Sequence, residues 1–194
     1  MSVAATATAC RNEPFLASRL EQAFERCFAA GWHTCLRGGA DEPYYQPAQA
    51  PGECNMLYYR SDFFASALHE VAHWCIAGAR RRQLADFGYW YVPGERTFEQ
   101  QRAFEAVERK PQALECCFSH ACGYPFRVSV DNLALDSAGL LDAQGFEREV
   151  LAQAHCYRTA GLPHRARIFH AALCQEFGTT SSPWRVDVSR TGPV

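Results

Sequence analysis

Apolar residues recur at helical spacing in five stretches of this chain and gather into strand-length runs in three others. The first helix is expected over 14–31, where Phe15, Leu20, Ala23, Phe24, Cys27 and Phe28 share one face. A second runs through Phe63, Phe64, Ala67, Leu68, Val71, Ala72, Cys75 and Ile76, a stripe wide enough to demand burial on most sides. Ser61 or Asp62 can cap its start and Gly78 can end it, while Arg80, Arg81 and Arg82 stand at the negative end of its dipole. The third, from Phe98 to about Cys122, carries Phe104, Val107, Leu114 and Phe118, and Pro111 is expected to break or kink it. Stretches 144–160 and 166–177 read as two closing helices.

Strand candidates are 56–59, 87–92 with a Pro93-Gly94 turn behind it, and 126–130. The Gly- and Pro-rich stretch 38–52 reads as loop, and residues 1–12 as a loose tail. No repeat or linker interrupts this order. The expectation is α+β: a helix-rich single domain over 1–194 with a small sheet.

Composition narrows the class. With 194 residues the chain can bury a core without disulfide staples. A net charge of -2 gives no basis for direct nucleic-acid binding by counterion release. No stretch has the roughly 18 consecutive apolar residues of a membrane helix, and the N-terminus has no apolar core of a signal peptide. A cytoplasmic protein with reduced thiols is expected, so most of the 10 cysteines read as small buried hydrophobes. Cys116, Cys117 and Cys122 make no CxxC pair, and with His120 they fit the spacing of a zinc site poorly. Lys110 is the only lysine; every other basic side chain is arginine.

Candidate chemistry lies on the second helix. His69-Glu70-Val71-Ala72-His73 is a zincin-like HExxH pentad, whose histidines, four apart, lie one turn above each other on one face. Both imidazoles can reach one metal ion. A third ligand is needed, and in HExxH families built on two helices it is often a glutamate of the next helix. Glu105, Glu108 and Glu115 are the candidates. Glu108 is preferred, with Glu105 beside it, because Ala106, Val107 and Leu114 make that segment half-buried. The alternative is an exposed acidic face paired with Arg102 and Arg109. Zinc in such a site would let Glu70 act as general base of a metallopeptidase. Ferrous iron would leave positions open for dioxygen. A metal that only secures a binding module is a third possibility. Asp86-Phe87-Gly88 matches the kinase metal triplet, but no accompanying kinase motif supports it.

Four segments carry a resemblance. They are the stretch from Ala65 through the pentad to Gly78, Asp86-Phe87-Gly88-Tyr89-Trp90-Tyr91, Phe104 to Leu114 with its Glu108-Arg109-Lys110-Pro111-Gln112-Ala113, and Gly123 to Leu133. Together these resemble the bacterial elongation factor P hydroxylase family, which adds a hydroxyl to the β-lysylated lysine of elongation factor P. The family is not similar in sequence to the 2-oxoglutarate oxygenases, and its metal site is of the two-His, one-carboxylate type. The resemblance implies His69 and His73 as ligands, Fe(2+) as the expected metal (zinc or another divalent ion being the alternatives), dioxygen as co-substrate and elongation factor P as partner. Glu70 would then hold a water or orient the substrate amine. Tyr89, Trp90 and Tyr91 can offer aromatic faces to an ammonium group, with Glu70, Glu105 and Asp131 as counter-charge. Lys110 can pair with Glu105 or Glu108 and orient the ligand.

Overall fold

A computed structural model describes residues 14–88, 96–130 and 137–179, with the backbone alone over 137–143. Helix α1 (Ala17–Trp32) leads into strands β1 (Thr34–Ala40), β2 (Tyr44–Gln46) and β3 (Asn55–Arg60). Helix α2 (Phe64–Ile76) follows, then two 3-10 turns (Arg81–Gln83 and Ala85–Gly88), α3 (Phe98–Cys122), α4 (Ser137–Ala160) and α5 (His164–Phe177). The result is the expected helix-rich α+β unit with a three-stranded sheet. Among the described residues no helix is long and apolar enough to cross a membrane.

The sheet has the order β1-β3-β2, with β1 parallel and β2 antiparallel to β3. Leu57 pairs with Leu36 on one side and Tyr45 on the other, so one buried row crosses all three strands. Side chains alternate across a strand, and this row therefore defines the face that α1 and α2 cover. The register slips between Arg37 and Ala40, where a Cβ on Gly38 would stand 2.5 Å from the Ser61 carbonyl oxygen. Glu21 of α1 secures that bulge, accepting from Gly38 N at 2.9 Å and from Tyr59 Oη at 3.0 Å. Behind the sheet, Trp74 of α2 packs on Phe24 and Phe28 of α1, with ring centroids 5.1 Å and 4.7 Å away. Phe169 of α5 and Phe118 of α3 close this core. A smaller cluster of Ala113, Cys116, Cys117, Phe146, Val150 and Ala154 joins α3 to α4.

Several expectations need correction. The stretch 38–52 is not loop throughout: β1 reaches Ala40 and β2 lies at Tyr44–Gln46, because pairing with β3 overrides the glycines. Segment 126–130 forms no strand. Its Ser129 backbone is instead read by the Gln112 side chain, donating to Oε1 at 3.0 Å and accepting from Nε2 at 2.8 Å. Phe87 and Gly88 close a 3-10 turn rather than opening a strand, and residues 89–94 lie outside the described residues.

In that turn Asp86 and Phe87 adopt left-handed φ of 47° and 56°. Such backbone is unfavourable for these residues and persists where its surroundings hold it. Here Tyr45 N donates to Asp86 Oδ1 at 2.8 Å, and the Tyr45 and Phe87 rings stack at 4.4 Å. Asp-Phe-Gly is a clamp on β2.

Helix α3 runs unbroken through Pro111. The lost hydrogen bond costs about 3 kcal/mol in an exposed helix, but Glu108 and residues 111–114 are buried between neighbouring elements, and that packing outweighs it. Helix α2 starts at an uncapped Phe63 rather than at Ser61 or Asp62, and stops at Ala77, one residue before Gly78. The described cysteines are free thiols. Cys75, Cys116, Cys117 and Cys122 are buried, whereas Cys156 is exposed.

Candidate metal centre

Helices α2 and α3 face each other across the pentad. The Nε2 atoms of His69 and His73 stand 3.0 Å apart, and the Glu108 carboxylate spans them, 3.3 Å from each. On the outer side of His69, Nδ1 meets Glu115 Oε2 at 2.8 Å. A neutral His69 that donates Nδ1–H to Glu115 keeps its Nε2 lone pair for the cluster. Glu108 and Glu115 are seven apart, so two turns of α3 bring both carboxylates onto one face. That spacing was visible in the sequence; which carboxylate faces which nitrogen was not.

The electrostatics are those of a compact cluster around a buried carboxylate. Burial by itself would raise the Glu108 carboxyl, but facing His73 and His69 holds it far below the usual carboxylate range. Burial would lower His69, yet the Glu108 and Glu115 carboxylates that face its ring hold it well above its ordinary value. Glu108 is only 2 % exposed, and its Oε2 is a buried atom without a hydrogen-bond partner. An unsatisfied buried carboxylate oxygen is costly. One ligand atom from each of His69, His73 and Glu108 fits within 4.8 Å, and two imidazoles with one carboxylate suit a first-row divalent ion. The residues fit a metal.

Residues 23–185, a span that holds both α2 and α3, match the family model described as Elongation factor P hydroxylase. The chain belongs to that family. The Elongation factor P lysine hydroxylase of Haemophilus influenzae is 44% identical over 156 residues, which is 80% of this chain and 86% of that protein. The resemblance read from the four sequence segments is thereby shown, and the protein is an enzyme of a hydroxylase family.

The other expected site residues fall into three groups. Glu70 shares α2 with the histidines; burial pushes its carboxyl up, His69 and His73 pull it partly back, and Glu108 and Asp86 push it further. Glu105 is buried on α3 but turned to Gln101, from which it accepts at 3.2 Å, and Gln101 also donates to the Val130 carbonyl. Lys110 pairs with neither Glu105 nor Glu108 among the described residues. It is exposed and lines a cleft against His73. Two positions beyond Glu108, it points off another face of the helix. Tyr89, Trp90, Tyr91 and Asp131 lie outside the described residues.

Among those residues no second metal-ligand group comes together, Cys116 and Cys117 being part of the α3–α4 core. Arg165 carried no sequence signal. It reaches from α5 to the end of α2, donating to the Trp74 and Ala77 carbonyls at 2.9 and 2.6 Å, and Arg82 donates to Ala77 as well. The histidine helix is therefore pinned at its C-terminal end.

Proposed function

We propose that this enzyme hydroxylates the β-lysylated lysine of elongation factor P, using dioxygen at ferrous iron held by His69, His73 and Glu108. The observation that carries the reading is the convergence of two imidazole nitrogens on the buried Glu108 carboxylate, His69 Nε2 against Oε2 and His73 Nε2 against Oε1 at 3.3 Å each, in a chain of this family. The iron supplies dioxygen activation when bound, with positions left open beside a two-His, one-carboxylate set. Glu115 keeps His69 in the tautomer that presents Nε2 to the centre. Glu70, its carboxyl shifted upward, accepts or returns a proton at the amine or water beside the reacting carbon. Glu105, Tyr89, Trp90 and Asp131 are proposed to receive the cationic side chain. Such a reaction on a translation factor belongs in the cytoplasm.

The raised Glu70 carboxyl also favours a second reading, a zinc metallopeptidase with Glu70 as general base. One experiment separates the two. The purified enzyme is incubated with β-lysylated elongation factor P, ferrous iron, dioxygen and a reductant, and the product is weighed by mass spectrometry. A gain of one oxygen atom that disappears in His73→Ala and Glu108→Ala supports hydroxylation. No gain, with peptide cleavage that zinc supports and Glu70→Gln abolishes, assigns the peptidase instead.

A further inference from the structure

Inserting one atom of dioxygen into a C–H bond and reducing the other to water takes two electrons and two protons from a donor. In sum, R–H, O2, two electrons and two protons give R–OH and H2O. An enzyme with the proposed function therefore handles a cationic lysyl side chain and an electron donor at one centre.

A cleft of about 980 Å3 opens against His73, between the end of α2, the middle of α3 and the α4–α5 junction. That volume is of the size of small-molecule sites. Arg80, Arg81 and Lys110 stand in its wall with Gln153 and Tyr157, and among the described residues its lining contains no aspartate or glutamate. The surrounding chain has 21 acidic against 19 basic side chains, so this all-cationic lining is a local feature. Arg80 and Lys110 are not used in closing α2, whose last carbonyls are served by Arg82 and Arg165. Arg81 is held at the rim, donating to the Phe87 carbonyl at 3.0 Å. Lys110 is the single lysine in a chain that otherwise uses arginine.

We propose that this cleft is the binding site of the electron donor, and that the donor is a small organic anion held by Lys110 and Arg80 beside His73. The inference rests on the hydroxylase reading and adds the charge class of its second reactant. A lysyl ammonium is repelled by such a wall. The protein substrate and the donor therefore approach the centre from different sides.

The sole lysine makes the test selective. Reductive 13C-methylation of the intact protein marks Lys110 and the N-terminal amine alone and keeps the charge. Titration with ascorbate is expected to shift the Lys110 resonance saturably, whereas neutral glucose leaves it in place. Arg80→Glu weakens the half-saturation about tenfold, the weight of one charge-assisted contact. In turnover with elongation factor P, Arg80→Glu and Lys110→Gln raise the KM for ascorbate about tenfold and the KM for elongation factor P far less. Absence of a saturable shift, or one that Arg80→Glu leaves unaltered, overturns the proposal. A rise confined to the KM for elongation factor P also overturns it, assigning the cleft to an acidic face of the protein substrate. A wild-type enzyme that binds ascorbate as described but hydroxylates nothing overturns the hydroxylase reading, not the anion site.

Discussion

Glu115 and Glu108 are the same residue type on the same face of α3, yet they touch opposite nitrogens of His69. Glu108 meets Nε2 and also His73; Glu115 meets only Nδ1. In the proposed centre the first serves as a ligand and the second as the carboxylate that aims a ligand. Losing such an outer partner costs about 10–100-fold in metal affinity. Glu115→Ala is expected to weaken ferrous or zinc binding by that order in a chelator competition. Glu115→Gln, which keeps an oxygen to accept Nδ1–H, should lose much less. An equal loss in both variants would mean that charge, not orientation, is what Glu115 contributes. Glu105 illustrates the limit of reading residues by spacing. Three positions from Glu108, it shares that residue's side of the helix, but Gln101 one turn earlier captures its carboxylate.

Elements show where local pattern and tertiary contact disagree. The apolar repeat of α2 located the helix within a residue or so, whereas neither expected cap is used, since the packing of Phe64 and the arginines beyond Ala77 set its ends. Arg165→Met should therefore destabilise the fold by about 1–3 kcal/mol in urea unfolding, because two buried carbonyls lose a charged donor. Its guanidinium also lies 4.8 Å from the Trp74 ring centre. Strand β1 was hidden by Gly38 and Gly39, which read as turn residues; in the structure Gly38 is required by the close approach of Ser61 and Tyr59. Gly38→Ala places a methyl group against backbone and is expected to cost more than about 2 kcal/mol in the same measurement. For segment 126–130 the alternation of Phe126, Val128 and Val130 is real burial against the α3–α4 cluster, without a strand beside it.

At the scale of the molecule, α1 and α5 close the core from opposite ends of the chain. Arg19 and Arg26 of α1 both reach Glu176 of α5, at 3.1 and 2.7 Å, and Arg19 also donates to the Glu176 carbonyl at 2.6 Å. Partial burial would raise the Glu176 carboxyl, but the two guanidinium groups outweigh it and lower its pKa. A carboxylate depressed in the folded state contributes stability above its unfolded pKa and loses it as pH falls through the lowered folded value. Glu176→Gln should accordingly lower Tm by a constant amount at neutral pH. The difference from wild type should vanish in acid, below the usual carboxylate range. High salt should shrink it too, since the pair is partly exposed. A difference that persists unchanged in acid would exclude the ion pair as its source.

What the sequence determined by itself is what short-range periodicity can encode: five helices, the buried stripe of α2, two histidines one turn apart, and carboxylates on one face of α3 seven residues apart. Its segments also sufficed to indicate the family. The tertiary structure decided the rest. It chose which carboxylate faces both imidazoles, built the sheet row of Leu36, Leu57 and Tyr45, and brought Arg165 to the end of the histidine helix. It also left Lys110 on a cleft instead of in an ion pair. The physical reason is range. A helix repeat is written in neighbours three and four residues apart, whereas a cluster of charges is arranged by which helices cross, and burial then fixes the state of each group.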